Sequence, residues 1–192
     1  MNRTQRIRRR TLLTGLTLSA LAGCGGEGSG LPVLPSPVVA DYRLGPGDKI
    51  RIITFGEEQL TGEFRVNDSG VIALPLVGDV KAAGLTVKEL DASVGGALVK
   101  AGLLRSPSVT AEIVEYRHLY VLGEVNKPGE YAYQPGMTVL SAVAVAGGFT
   151  YRAITGYVGI VRTEQGRATE GKAFRDSFVQ PGDVITVYER RF

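Results

Sequence analysis

The chain has 192 residues, with 22 Lys+Arg, 19 Asp+Glu, one histidine and one cysteine, and a formal net charge of +3. A single cysteine leaves no internal disulfide, and a single histidine is read as excluding a multi-histidine metal site and a histidine-centred triad. Five arginines and no acid fall within residues 1–10, so residues 24–192 hold 17 basic against 19 acidic side chains and imply no nucleic-acid-binding surface.

In chain order, the basic run of residues 1–10 is followed by an uncharged, largely apolar run over residues 11–23. That layout predicts a secretory signal peptide over 1–23. Its apolar part is 13 residues, short of the ~20 a bilayer-spanning helix needs. It ends in Leu21-Ala22-Gly23-Cys24, which resembles a bacterial lipobox. Small residues there suit a narrow peptidase site, and the Cys24 thiol would then carry the lipid. Arg9-Arg10-Thr11-Leu12-Leu13 also resembles a twin-arginine export signal, so general and twin-arginine secretion both stay open. Residues 24–40 are expected to be a lipidated, flexible tether, Gly/Ser-rich at first and then extended by Pro32, Pro35 and Pro37.

Two folded halves follow. Pro46-Gly47-Asp48 reads as a tight turn before a half-buried strand at Lys49–Phe55, where Ile50 and Ile52 alternate with polar residues. Glu63–Val66 and Val71–Leu74, joined by Asn67-Asp-Ser-Gly70, are expected to pair as a hairpin. A short strand at Leu76–Val80 comes next. Thr86 with Glu89 is a capping-box pattern, opening a helix with an apolar stripe of Val87, Leu90, Val94, Leu98 and Ala101. Gly95-Gly96 inside it predicts close packing against a sheet. Ser108–Tyr116 alternates as a long strand.

The second half starts near residue 118. Strands are expected at His118–Val125 and Glu130–Tyr133, a helix at Val139–Ala146 stopped by Gly147-Gly148, a hairpin about Gln165-Gly166, and a last strand at Val184–Tyr188. The halves echo each other. Pro46-Gly-Asp-Lys-Ile50 matches Pro181-Gly-Asp-Val-Ile185, and in each the aspartate can bond backbone N–H groups while a strand departs. Two related strand–helix modules explain this better than one irregular fold.

Catalytic patterns are sparse. Glu57-Glu58 could in principle serve a glycosidase but reads better as a solvated loop. No glycine pattern of a phosphate loop is present. Tyr116, Tyr120, Tyr131 and Tyr133 could stack on sugar rings, although such tyrosines more often pack beside a sheet.

Tyr42-Arg-Leu-Gly-Pro-Gly-Asp-Lys-Ile50, Pro75-Leu-Val-Gly78 and the Thr86–Leu90 helix start resemble the export domain of Wza-type outer-membrane polysaccharide export lipoproteins. Tyr120-Val-Leu-Gly-Glu-Val-Asn-Lys-Pro-Gly129, Pro135-Gly-Met-Thr-Val-Leu140, Ala146-Gly-Gly148 and Pro181-Gly-Asp-Val-Ile185 resemble the soluble-ligand-binding β-grasp module that follows it there. The resemblance implies an α+β chain: a polysaccharide-export domain of mixed sheet plus helix over 41–117, then one β-grasp-like domain over 118–192. It implies a non-catalytic, ring-forming homo-oligomer that conducts capsular or exopolysaccharide outward and partners an inner-membrane polysaccharide co-polymerase. No cofactor, metal or catalytic residue is carried over, and the glycan-contacting residues stay unassigned. Lipid on Cys24 would hold the body at the outer membrane, facing the periplasm. The best-known members end in an amphipathic membrane helix; only Tyr188–Phe192 follows the last strand core here, so a short form lacking that helix is expected. A periplasmic glycan-binding or scaffolding lipoprotein that forms no pore is the alternative.

Overall fold

A computed structural model describes residues 26–35, 42–164 and 166–191. The signal peptide and Cys24 lie outside the described residues. Two layered α+β modules follow one another along the chain.

In the first module, β1 (Lys49–Thr54) is the centre of a three-stranded antiparallel sheet between β2 (Gly62–Arg65) and β5 (Val109–Glu115). A one-turn 3-10 helix, Glu58–Leu60, connects β1 to β2. β3 (Val71–Leu74) pairs with β4 (Gly78–Lys81) as a separate two-stranded ribbon. The expected hairpin of Glu63–Val66 with Val71–Leu74 is therefore corrected. The turn forms, with the Gly70 N–H donating to the Asn67 carbonyl at 2.8 Å. The strands on either side of it pair elsewhere: β2 takes β1 and β3 takes β4.

Helix α1 (Val87–Lys100) starts at the Thr86 cap. The Thr86 hydroxyl accepts from the Glu89 N–H at 3.2 Å, and Glu89 accepts from the Thr86 N–H at 2.8 Å. Its apolar stripe buries Leu90, Val94 and Leu98 against Ile50, Ile52 and Ala111 of the sheet. Val87 is half-buried and Ala101 exposed. The expected close packing at the glycine pair is also corrected. A β carbon at Gly96 would meet nothing within 4 Å, and one at Gly95 would only touch Pro107 at 3.7 Å.

In the second module, β6 (Leu119–Gly123), β7 (Gly129–Tyr131), β8 (Tyr157–Glu164), β9 (Arg167–Phe174) and β10 (Val184–Val187) form one sheet in the order β7-β6-β10-β8-β9. Its β6–β10 pair is parallel and the rest are antiparallel. Helix α2 (Val139–Val145), capped by Thr138, buries Val139, Ala142 and Val143 on the sheet. Gly147 and Gly148, at φ 83° and 85°, end it in a backbone conformation that favours glycine.

Part of the expected free tether is corrected as well. Residues 26–35 lie along the edge strand β9 as a strap. The Lys172 N–H donates to the Pro32 carbonyl at 2.7 Å, and the Leu34 N–H donates to the Lys172 carbonyl at 2.8 Å. Leu34 packs on the second module's core. An edge strand presents unpaired backbone groups, and the strap satisfies those of Lys172.

Candidate functional site

The two Pro-Gly-Asp turns are built alike. Each is closed by the aspartate N–H donating to the residue three before it: Asp48 to Gly45 at 3.2 Å and Asp183 to Gln180 at 3.1 Å. Gly47 and Gly182 take the positive φ that a type II turn demands, 96° and 83°. Each buried carboxylate then accepts that first residue's N–H in return, Gly45 to Asp48 and Gln180 to Asp183, both at 2.7 Å. Each turn is also stitched to a neighbouring strand: Val66 N–H donates to the Asp48 carbonyl, and Tyr120 N–H to the Asp183 carbonyl, both at 2.9 Å. The echo in sequence is an echo in geometry.

An arginine completes each turn. In the second module Arg162 donates to Asp183 through Nε at 2.9 Å and Nη2 at 2.7 Å, a buried two-pronged pair. In the first, Arg117 comes from the junction between the modules. Its N–H donates to Asp48 Oδ1 at 2.8 Å, its Nε to the Pro181 carbonyl at 3.0 Å, and its Nη1 to the Tyr42 hydroxyl at 3.0 Å. Arg117 thus ties the first turn to the second. Its side chain fills the space a β carbon at Gly45 or Gly182 would take.

Tyr42, Tyr116 and Tyr133 stack edge-on in a row beside this tie, with ring centroids 5.1 and 5.4 Å apart. Burial first, and the Asp48 carboxylate second, push the Tyr42 hydroxyl well above the ordinary phenol range. Burial likewise raises Tyr116 and Tyr133. These hydroxyls stay protonated at physiological pH. Between the modules opens a cleft of about 1460 Å³. Tyr133, Tyr116 and Phe178 supply aromatic surface to it, and Arg43, Asp68, Lys81 and Glu164 supply charge. Among the described residues every buried side-chain nitrogen and oxygen has a hydrogen-bond partner. The Asp48–Arg117–Tyr42 cluster is therefore internally satisfied and holds the cleft's shape.

Of the tyrosines singled out in the sequence, Tyr116 and Tyr133 meet in the cleft. Tyr120 is exposed on β6, and Tyr131 donates to the Lys127 carbonyl at 2.5 Å. His118 bridges the modules' outer rim, with Nε2 3.4 Å from Glu115 and Nδ1 2.8 Å from Glu130. Glu57 precedes the 3-10 helix and Glu58 opens it, both outside the residues that line the cleft. Among the described residues no cluster of His, Cys, Asp and Glu could hold a metal ion. None of their helices is long and apolar enough to cross a membrane. Arg117, Arg162 and Phe178 were missed. Arg162 had a signal, since it continues the core-facing alternation of Val158 and Ile160 and needs a buried partner.

Residues 36–114 match the family described as polysaccharide biosynthesis/export protein, and residues 119–172 match the SLBB domain. The chain is 40% identical over 120 residues to the exopolysaccharide production protein ExoF of Rhizobium meliloti, covering 56% of this chain and 28% of that protein. It is 34% identical over 110 residues to the polysialic acid transport protein KpsD of Escherichia coli, covering 56% and 20%. It is 28% identical over 133 residues to the EPS I polysaccharide export outer membrane protein EpsA of Ralstonia nicotianae, covering 56% and 34%. The matched part spans between a fifth and about a third of these relatives' length.

Proposed function

We propose that this chain, which belongs to the polysaccharide export protein family, serves the outward passage of a bacterial capsular or exopolysaccharide without cutting it. The observation that carries the reading is the pair of matched domains, in order, on two modules held together by Arg117. The printed names of the relatives, exopolysaccharide production, polysialic acid transport and polysaccharide export, support the substrate class.

In this reading the mature protein begins at Cys24, which carries lipid and tethers the folded body to the outer membrane from the periplasmic side. Copies assemble into a ring, and an inner-membrane polysaccharide co-polymerase hands the polymer to it. A flexible, polar polymer needs a wide hydrated path rather than a tight pocket. Closed rotational symmetry supplies such a path and leaves no interface unpaired. The test is to extract the protein from membranes in mild detergent and measure its mass. A multiple of the protomer mass, with acyl mass on Cys24, supports the ring and the anchor. A strictly monomeric protein in a strain that secretes normally would defeat the ring.

The inter-module cleft favours a second reading, a periplasmic glycan-binding or scaffolding lipoprotein. Aromatic faces beside mixed charge suit a sugar ring, which offers one apolar face and a rim of hydroxyls. Binding of the cell's own polysaccharide by a monomer, lost on Tyr133→Ala, would favour this reading.

A further inference from the structure

We infer that one end of the second module, carrying Tyr151, Arg152, Arg190 and Arg191, rests on the phospholipid headgroup layer. The inference depends on the proposed acylation of Cys24. Its independent support is the strap, which fixes where that anchor leaves the folded body.

The strap is held over its length. The Tyr157 hydroxyl donates to the Glu27 carbonyl at 2.8 Å, and Lys172 Nζ donates to the Ser29 carbonyl at 3.0 Å. The main chain then pairs with Lys172 as described. The module leaves room for it. A β carbon at Gly171 would stand 2.5 Å from Leu34 Cγ and 2.9 Å from the Pro32 carbonyl oxygen. A β carbon at Gly28, where φ is 72°, would stand 2.2 Å from the Tyr188 ring. Gly26 then lies against Ile154 and Tyr157. Cys24 is two residues further, a reach of at most ~7 Å at full extension. A lipid on it enters the bilayer beside this end of the module.

That end has the chemistry of a headgroup contact. Residues 151–154 and 188–190 run side by side, with Arg190 N–H donating to the Arg152 carbonyl at 2.8 Å and Ile154 N–H to the Tyr188 carbonyl at 2.8 Å. Tyr151 is 85% exposed. An aromatic ring with a polar tip is favoured at the boundary between headgroup and acyl chain. Arg190 is held by the carbonyls of Tyr151 and Ala153 at 3.0 Å each. Arg152 faces Glu189, and Arg191 is 4.0 Å from Glu27. Glu124 accepts from the Thr150 hydroxyl beside Tyr151, so three guanidiniums stand with three carboxylates. The end carries no net charge, and its guanidinium forks match phosphate oxygens. Phe55, 83% exposed, belongs to the first module and serves as the contrast.

The chain has no tryptophan, so a single one reports its own surroundings. Full-length Tyr151→Trp and Phe55→Trp are expressed separately, purified from membranes, weighed for acyl mass, and reconstituted on phosphatidylethanolamine/phosphatidylglycerol vesicles. Emission from the Tyr151→Trp protein is expected to shift to the blue and to be quenched by lipids brominated near the headgroup, while the Phe55→Trp protein keeps its solution spectrum. Adding Gly171→Val, which displaces the strap, should abolish the quenching at 151 while the protein stays vesicle-bound. An acylated, vesicle-bound Tyr151→Trp protein whose emission stays that of a solvent-exposed indole, or responds no more than that of Phe55→Trp, overturns the inference alone. So does quenching at 151 that survives Gly171→Val. Absence of acyl mass overturns the lipid reading and the inference with it.

Discussion

Replacing Asp183 with asparagine tests the buried turn that opens the last strand. The Asp183 and Arg162 side chains are 1% and 9% exposed, and the carboxylate accepts three hydrogen bonds. Oδ1 takes Arg162 Nε, while Oδ2 takes both Arg162 Nη2 and the Gln180 N–H. An asparagine that puts its oxygen at Oδ2 turns its NH2 toward Arg162 Nε, donor against donor. The flipped amide loses the other two bonds. Either way a buried guanidinium loses its counter-charge, which costs ~3–5 kcal/mol. Arg51 provides the contrast. It pairs with Glu63 and Glu112, both at 2.8 Å, but with side chains 35–52% exposed. Arg51→Met should leave stability nearly unchanged, because solvent screens exposed ion pairs. Urea unfolding of residues 24–192, followed by circular dichroism and by hydrogen exchange within each module, measures both. An Asp183→Asn cost no larger than that of Arg51→Met would refute the assignment of the turn's strength to this carboxylate.

Leu90 is fully buried at the centre of α1's apolar stripe, so Leu90→Ala should cost ~2–5 kcal/mol in the same urea measurement. Tyr42 gives a pH signature. Its folded-state ionisation lies above that of an unfolded phenol, so its contribution is present below pH ~10 and is lost as pH rises above that value. Unfolding midpoints should therefore fall along the alkaline limb, less steeply in Tyr42→Phe; identical slopes would contradict the buried setting of that hydroxyl.

Periodicity and turn chemistry located nearly every element. The Thr86–Glu89 capping box, the stripe through Leu98 and the paired Pro-Gly-Asp turns are local patterns, and local patterns are what a sequence displays. Pairing is not local. Asn67–Gly70 is a proper turn, yet the strands it joins find partners elsewhere, β2 on β1 and β3 on β4. Gly95-Gly96 looked like a close approach, but at Gly96 the helix faces open space. The strap resembled a linker because Gly, Ser and Pro dominate it; its order comes from an unfilled sheet edge 140 or so residues away, which composition does not encode. The candidate cleft was half legible. Tyr116 and Tyr133 were noted as aromatic candidates, whereas Arg117, which joins the halves, sits in no periodic pattern.

The account's central claim is outward passage of polysaccharide, and following the polymer itself tests it most directly. In a strain lacking this protein, newly made polysaccharide is pulse-labelled through its sugar precursor and its location is followed over time. The account predicts that labelled polymer of undiminished chain length accumulates inside the envelope and fails to reach the surface, and that restoring the protein releases it. Surface polysaccharide that appears at the normal rate and amount without the protein would contradict the account.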